Sequence, residues 1–392
     1  MDRARINEGI RRMRFEDLLD RHERGELNQD EAAEMLGVSD RTFRRWRDRV
    51  RDEGFSGLAD RRLRASSKRA DATEISRMLG LYRSHYRDFT VKHFHEQLLK
   101  RHGYKLGYTV TKVHLHRAGL VEAATKRSAH RKKRPRRPMV GMLIHQDAST
   151  HAWLPGQSRK YDLVVTMDDA TSAIYSAFLV DQEGTASSFR GLSEVIERHG
   201  LFCSFYTDRG SHYFVTDEAG GRVSKTSVTQ VGRALRQLGI EHIAAYSPQA
   251  RGRSERAFLT LQDRLPKEFA LAGIMTVEAA NLWLAQTYIA EYNALFAVEP
   301  EQDGSGFVQD RAGLWQEILC IQEDRTVAPN NTVKYKTLQL QLPPSRLRPH
   351  FVKATVRVHE YHDGSMAIFW GPHKLGEYEP SGTLRHQQDK AA

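Results

Sequence analysis

Three short stretches of the sequence each place one carboxylate beside an apolar run of the kind that forms a buried strand. The runs are residues 139–144, 201–206 and 240–246. Asp147 closes the first run, Asp208 closes the second, and Glu255 follows the third at the start of a helical pattern. Carboxylate oxygens suit a hard divalent cation such as Mg²⁺, and two such ions can hold the attacking and leaving oxygens of a phosphoryl displacement. The pattern therefore predicts a nuclease or strand-transferase site in which these three residues are both catalytic and metal-binding.

The elements around these carboxylates read as a mixed sheet. The predicted strands are 140–147, 160–168, 173–180, 201–207 and 240–246, and the predicted helices are 185–199, 226–238 and a long helix from about 252. Three antiparallel strands followed by parallel strands reached through helices form a mixed α/β sheet. Asp147 and Asp208 then end the first and fourth strands, which can be neighbours in such a sheet.

Other polar residues near the same strands have less specific interpretations. Asp168 and Asp169 read as turn formers between the second and third strands. His145 lies two residues before Asp147 and so on the same face of the strand. It can assist the site, contact DNA or be structural, and the sequence leaves these alternatives open.

The charge is concentrated in the first third of the chain. Residues 1–138 carry 35 Lys and Arg against 20 Asp and Glu, a net charge of +15, whereas the remaining residues carry 25 against 29, a net charge of −4. A basic arm on a slightly acidic body is typical of a protein with a polyanionic partner.

Two helix-turn-helix patterns lie inside the basic part. In residues 28–51, Asn28 and Ser39 are predicted N-caps and Gly37 supplies the turn. A second pattern begins near Asp71, and it ends with a short helix that we expect Thr109 to cap. The basic segment 126–138 then predicts an extended tether. The residues predicted to bind DNA are Arg41, Arg44, Arg45, Arg47, Lys112, Arg117, Arg131, Lys132, Lys133, Arg134 and Arg256.

Beyond the sheet, residues 276–296 predict an amphipathic helix, and short β segments follow residue 330. Asp363-Gly364 is a strong hairpin signal. The fold class predicted is multidomain α+β, with all-α helix-turn-helix domains, a mixed α/β core and a small C-terminal β-barrel. The predicted domains are 1–60 and 61–122 (helix-turn-helix), 123–139 (basic linker), 140–300 (catalytic core), 301–329 (helical connector) and 330–392 (β-barrel and tail).

Composition narrows the class of protein further. The chain has two cysteines, which excludes a disulfide framework and a Cys-rich zinc module and fits a reducing compartment. The N-terminus is charged and lacks the apolar core of a signal peptide, and no apolar run approaches the roughly 18 residues that span a bilayer. We therefore expect a soluble, cytoplasmic protein.

The three carboxylate stretches resemble the D, D and E motifs of the DDE transposase and retroviral-integrase superfamily. The segment Tyr246-Ser247-Pro248-Gln249, continued by Gly252 and Glu255-Arg256, is similar to insertion-sequence transposases, and nearly the whole chain resembles those of the ISNCY type. The resemblance implies a ribonuclease H-like core in which Asp147, Asp208 and Glu255 hold two Mg²⁺ ions, with Mn²⁺ able to substitute. Glu255 lies 47 positions after Asp208, longer than the commonest integrase spacing, and the polar segment 216–227 accounts for the excess as a loop insert.

The function implied is DNA transposition, in which the chain binds terminal inverted repeats, cuts 3′ ends and transfers them to target DNA as a homodimer or higher oligomer. Two alternatives stay open at this point. One is a non-catalytic DNA-binding regulator on a transposase scaffold, and the other is a metal-dependent DNA nuclease without strand transfer.

Overall fold

The computed structural model describes residues 3–58, 70–122, 134–216, 222–224, 226–246, 252–310 and 313–385. The chain divides into two compact units, residues 1–87 with 95–122 and residues 88–94 with 123–392. Across the described ranges, every helix is too short or too polar to span a lipid bilayer.

The N-terminal part is helical. Its helices are α1 (Arg3–Glu23), α2 (Gln29–Leu36), α3 (Asp40–Glu53), α4 (Ala72–His85), α5 (Val91–His102) and α6 (Tyr108–Arg117), with a short 3₁₀ segment at Gly54–Leu58 after α3. The first three helices share one apolar core centred on Phe15, Phe43 and Ala32. Helix α1 has no counterpart among the sequence predictions, and it supplies Phe15 to that core.

The first helix-turn-helix is held by the caps that the sequence predicts. The side chain of Asn28 accepts the N–H of Glu31 at 2.9 Å, and the Glu31 carboxylate accepts the N–H of Asn28 at 2.8 Å. Gly37 ends α2 in the left-handed conformation (φ 73°), and Ser39 caps α3 by accepting the N–H of Thr42. These contacts satisfy helix-end groups that would otherwise have no partner. The prediction of two helices across 28–51 is confirmed.

The start of α6 differs from the prediction. Gly107 occupies the N-cap position without a side-chain hydrogen bond, and Thr109 lies inside the helix. Helix α4 begins beside Asp71, as the sequence predicts, and Asp71 caps it by accepting the N–H of Thr73. Gly119 follows α6 at φ 65°, a conformation that favours glycine and ends the helix.

The central sheet has the mixed topology that the sequence predicts. Its strands are β1 (Ile144–His151), β2 (Tyr161–Asp168), β3 (Ile174–Val180), β4 (Ser204–Thr207) and β5 (Glu241–Ala244). Their order is β3-β2-β1-β4-β5, with β1, β2 and β3 antiparallel and β4 and β5 parallel to β1.

Helices cover both faces of this sheet. They are α7 (Thr185–His199) and α8 (Gln230–Gln237) on one face, and α9 (Gly252–Ala272), α10 (Val277–Trp283) and α11 (Ile289–Phe296) on the other. A π-helical turn, Leu284–Tyr288, joins α10 to α11, so the amphipathic helix predicted for 276–296 is present with one wide turn. The two apolar layers fix the orientation of every central strand.

The helical connector predicted for 301–329 is wrong. Its described residues contain one four-residue helix, α12 (Trp315–Ile318), and a strand, β6 (Ile321–Thr326). Gly304 and Gly313 have φ values of 107° and 63°, which a helix does not accommodate. Strand β6 pairs with a distant C-terminal strand, a contact that local sequence does not encode.

The C-terminal strands form two small antiparallel sheets around one core. The strands are β7 (Thr332–Tyr335), β8 (Leu338–Gln341), β9 (Thr355–Glu360), β10 (Met366–Trp370) and β11 (His373–Tyr378). One sheet has the order β11-β10-β9-β6, and the other is the β7-β8 hairpin. In the described residues these sheets do not close into a barrel, so the barrel prediction is not confirmed. The Asp363-Gly364 turn between β9 and β10 is present, with Gly364 at φ 82°.

Glu317 of α12 ties that helix to the C-terminal sheet. Its carboxylate accepts Lys374 Nζ of β11 at 2.7 Å and the Tyr361 hydroxyl, and His359 Nδ1 lies 3.4 Å away. Burial alone would raise the pKa of Glu317, but His359, Lys374 and Tyr361 lower that pKa to about 2. The ionised carboxylate therefore stabilises the folded state above its unfolded pKa of about 4.3.

We expect Glu317→Gln to lower the free energy of unfolding at pH 7 by about 1–2 kcal/mol, since it replaces charged hydrogen bonds at a partly exposed site. The difference from the wild type shrinks as the pH falls from about 4.3 to about 2, because the wild-type carboxylate is protonated in that window. Urea unfolding at several pH values measures both effects, with Glu299→Gln as an exposed control. A difference that stays constant from pH 7 to pH 3 would contradict this assignment.

Candidate active site

Asp147 lies inside β1, not at its end. The strand spans Ile144–His151, so the apolar run 139–144 precedes most of it, and Asp147 is the fourth residue. Asp147 pairs with Val165 of β2, whose side chain belongs to the apolar layer shared with α9. The Asp147 side chain therefore faces α9, and it is half-buried. The carboxylate accepts the N–H of Ala148 at 3.0 Å.

On the opposite face of β1, the side chain of Gln146 is buried and hydrogen-bonded to its neighbours. Gln146 Nε2 donates to Thr166 Oγ1 at 2.9 Å, and Gln146 Oε1 accepts a hydrogen bond from the Tyr213 hydroxyl at 2.8 Å. A Cβ at Gly191 of α7 would lie 2.2 Å from Gln146 Nε2 and 2.8 Å from Thr166 Oγ1, so a side chain there would displace the Gln146 amide. These contacts hold the register of β1 and hence the direction in which Asp147 points.

Asp208 directly follows β4, the strand that pairs in parallel with β1. The parallel pairs are Ile144 with Phe205 and His145 with Tyr206, and the same register continued by two residues brings position 208 level with position 147. The rings of His145 and Tyr206 are in contact, with centroids 5.0 Å apart. The parallel pairing reaches Tyr206, so the proximity of the two aspartates stays a prediction from the register.

Gly210 shapes the turn that carries Asp208. Asp208 Oδ1 accepts the N–H of Gly210 at 2.8 Å, and a Cβ at Gly210 would lie 3.0 Å from that same oxygen. A side chain at position 210 would therefore displace the carboxylate. The half-buried position of Asp208 leaves the carboxylate partly open to solvent.

Glu255 is in the first turn of α9, and its side chain is exposed. Gln262, seven residues further along and hence on the same helix face, donates from Nε2 to Ser149 Oγ of β1 at 2.8 Å. Ser149 shares a strand face with Asp147, so the Glu255 face of α9 is turned towards the strand that carries Asp147. The preceding residues 247–251, which the sequence singled out with Glu255, lie outside the described residues.

Asp147 lies inside β1, Asp208 follows β4 and Glu255 lies in the first turn of α9, and in the described residues these carboxylates do not form a closed ligand group. Within the described ranges, no three His, Cys, Asp or Glu side chains are close enough to hold a metal ion. Carboxylate oxygens are ligands that suit Mg²⁺, so the donor chemistry of the three residues fits that ion.

Asp168 is the turn former that the sequence predicts. Its carboxylate is buried and accepts the N–H and hydroxyl of Thr171 at 2.8 and 2.9 Å and the N–H of Gly141 at 3.0 Å. Burial raises its pKa, although these hydrogen bonds oppose the increase.

Asp169 has a different role from the one predicted. It is 1% exposed and accepts His145 Nε2 at 2.7 Å and the N–H of Arg137 at 2.8 Å. The guanidinium groups of Arg134 and Arg253 also donate to it. Sequence reasoning missed this buried charge cluster. The sequence did contain one indication of it. A single aspartate, Asp168, is enough to form the turn, so the second aspartate, Asp169, was available for another role.

Ionisation in this cluster follows from its contacts. Burial would raise the pKa of Asp169, but the His145 hydrogen bond, the Arg137 N–H and the Arg253 guanidinium lower that pKa on balance. Burial lowers the pKa of His145, although the hydrogen bond with Asp169 opposes the decrease, and His145 Nε2 lies 2.7 Å from the Asp169 carboxylate. Of the three roles considered for His145, the structural one is supported by this hydrogen bond to Asp169.

The predicted DNA-binding residues fall into three groups. Those with exposed side chains are Arg41, Arg44, Arg45, Lys112, Arg117 and Arg256. Arg47 is half-buried and donates to Gln29 Oε1 at 2.9 Å, and Arg134 is engaged with Asp169. Arg131, Lys132 and Lys133 lie outside the described residues. Arg47 and Arg134 are therefore committed to contacts within the protein in this structure.

Comparisons with known proteins found one family model and two transposases that are similar to this chain. The winged helix-turn-helix family matches residues 18–76. The putative transposase y4bF of Sinorhizobium fredii is 30% identical over 359 residues, which are 90% of this chain and 77% of that protein. The transposase for insertion sequence IS1202 of Streptococcus pneumoniae is 36% identical over 163 residues, 42% of this chain and 34% of that protein.

Two solved structures are also similar in part. The HTLV-2 integrase catalytic core domain in complex with magnesium is 17% identical and has a TM-score of 0.29, covering 37% of this chain and 85% of that chain. The simian T-cell lymphotropic virus intasome in complex with a PP2A regulatory subunit is 15% identical and has a TM-score of 0.33, covering 71% of this chain and 91% of that chain.

The match to y4bF over 90% of this chain and 77% of that protein defines the class of protein, a transposase. The chain belongs to the family of transposases that includes y4bF.

Proposed function

We propose that this transposase cuts the 3′ ends of its own element and joins them to target DNA, with Asp147, Asp208 and Glu255 as the catalytic carboxylates. The proposal is supported by the parallel register of β1 and β4, which would bring positions 147 and 208 level if it continued by two residues, and by the position of Glu255 in the first turn of α9. Two Mg²⁺ ions held by these carboxylates would supply Lewis-acid activation of the attacking oxygen and charge stabilisation of the leaving oxygen.

Neighbouring residues of the chain hold the proposed catalytic carboxylates in place. Gln146 and Gly191 fix the strand that carries Asp147, and Gly210 allows the close turn that presents Asp208. In the first reaction, water attacks the phosphorus at the element's 3′ end, the bond to the 3′ oxygen breaks, and a free 3′-hydroxyl and a 5′-phosphate result. In the second, that 3′-hydroxyl attacks a target phosphodiester and releases the target's 3′ oxygen. Neither step requires a covalent protein–DNA intermediate.

A product assay tests the proposal directly. The full chain is incubated in Mg²⁺ with a labelled duplex taken from the DNA that flanks its gene and with a supercoiled plasmid as target. We expect shortened ends with a 3′-hydroxyl and label joined to the plasmid. Binding without cutting would instead indicate a regulator on a transposase scaffold, and cutting without joining would indicate a nuclease.

The N-terminal helices are proposed to recognise the terminal inverted repeats. Helix α3 presents Arg41, Arg44 and Arg45 to solvent, although Arg44 also pairs with Asp40 at 2.7 Å. Exposed arginines on the second helix of such a motif are placed to fork onto guanine edges or to pair with phosphates. The net charge of +15 over residues 1–138 also favours binding to the negatively charged phosphates of DNA.

We expect Arg41→Ala and Arg45→Ala each to weaken binding of the full chain to its terminal repeats without metal. A base-edge contact costs about 1–3 kcal/mol and relaxes preference at one position, whereas a phosphate contact weakens all sequences alike and reduces the salt slope by about 0.9. Fluorescence anisotropy across a salt series measures both. Arg24→Ala, an exposed arginine paired with Asp20 on α1, is the control. Equal binding to repeat and random DNA at every salt concentration would contradict the proposal.

A further inference from the structure

The buried cluster around Asp169 connects three segments of the second unit. The carboxylate receives His145 from β1, Arg253 from α9, and Arg134 with the Arg137 N–H from the segment before the sheet. Arg253 also donates through Nη2 to the Arg134 carbonyl at 2.9 Å. One side chain therefore holds together pieces that are far apart in sequence.

Each link ends close to a residue of the proposed catalytic site. His145 is two residues before Asp147 on the same strand face, and Arg253 is two residues before Glu255 in the first turn of α9. The first turn of a helix lacks internal partners for its N–H groups, so contacts from outside determine how firmly it is held. Arg253, with 14% of its side chain exposed, supplies such a contact.

The segment before the sheet is fixed in the same place. Arg136 Nη1 donates to the carbonyls of Asp169 and Ala170 at 3.0 Å each and to Ser172 Oγ at 2.8 Å. Residues 134–137 therefore pack against the turn after β2, although the sequence predicted an extended tether there.

We propose that Asp169 is a positioning residue that fixes the first turn of α9, and hence Glu255, relative to Asp147. The inference rests on the proposed function for its catalytic consequence. Asp169 touches neither metal nor DNA in this account and acts through Arg253 and His145. Loss of its charge releases Arg253, loosens the helix start, and leaves Glu255 less often within reach of a shared metal ion.

Asp169→Asn tests the inference, with Asp168→Asn as a matched control. The two aspartates are adjacent and equally buried, but Asp168 binds the hairpin through Thr171 and Gly141. Hydrogen exchange of the full chain, without metal or DNA, is followed at the amides of residues 256–259, which exchange only when the first turn opens. We expect exchange there to be about tenfold faster in Asp169→Asn than in the control.

A second measurement reads the consequence for the site. The Mg²⁺ concentration for half-maximal cleavage should rise about tenfold in Asp169→Asn and stay near the wild-type value in Asp168→Asn, as for other residues that orient metal ligands. The double variant Asp169→Asn with Arg253→Gln should require no more Mg²⁺ than Asp169→Asn alone, because both changes break one contact.

If the amides of residues 256–259 exchange at the same rate in Asp169→Asn as in Asp168→Asn, the inference is overturned, whatever the cleavage activity of the two variants. If Asp169→Asn does not fold, Arg253→Gln breaks the same contact from the helix, with Arg190→Gln, an arginine paired with Glu194 on α7, as its control. Failure of the wild type to cut or join DNA would count against the proposed function alone, since the exchange experiment does not depend on it.

Discussion

Asp147→Asn, Asp208→Asn and Glu255→Gln are each expected to abolish strand cutting and joining, with rates reduced by at least about three orders of magnitude. Each change removes the charge of a proposed metal ligand with little change of shape. Binding of the terminal repeats should persist, because the predicted DNA-binding helices lie elsewhere in the sequence. Gel-based cleavage and metal-free binding assays measure the two properties separately.

Asp181→Asn is the control for these variants, because Asp181 is an exposed aspartate after β3 that pairs with Arg159. It should retain near wild-type activity. Near-normal cleavage by any of the three carboxylate variants would remove that residue from the catalytic site.

The second large effect concerns the metal. We expect cutting and joining to require Mg²⁺ or Mn²⁺ and to stop in excess chelator, while binding of the terminal repeats continues. Ca²⁺ should permit assembly with little or no chemistry, because its longer and more flexible coordination does not fix the reacting oxygens. The measurement is the product assay repeated with each ion at equal ionic strength. Full activity in excess chelator would contradict a metal-dependent site.

Helices and strands that depend on residues close by in the chain could be predicted from the sequence. The helices of residues 28–51 follow from Asn28, Ser39 and Gly37, because caps act within one turn. Helix α7 begins and ends where the pattern 185–199 predicts. The order of strands and helices was enough to give the mixed sheet.

The position of β1 could not be read from its composition. The apolar run 139–144 suggested the strand, but the strand continues through polar residues to His151, because β2 pairs with it along its whole length. Strand propensity depends on such neighbours more than on the residues themselves. Asp147 is consequently inside the strand, where its direction is better fixed than at an end.

The role of Asp169 was also beyond sequence reasoning. Its partner Arg253 lies 84 residues further along the chain. Only the packing of α9 across the sheet brings the two together. The third carboxylate illustrates the same limit, since the motif around Glu255 gives its identity but not how far its side chain lies from the two aspartates.

The central claim, that this chain transfers DNA strands, is tested most directly with ends that are already cut. Duplexes that end in the element's 3′-hydroxyl are supplied with a supercoiled plasmid, Mg²⁺ and the full chain, so that hydrolysis is bypassed. The account predicts covalent joining of the supplied 3′ ends to the plasmid by the wild type and no joining by Glu255→Gln. Absence of joined product from a wild-type protein that binds these ends, or equal joining by Glu255→Gln, would contradict it.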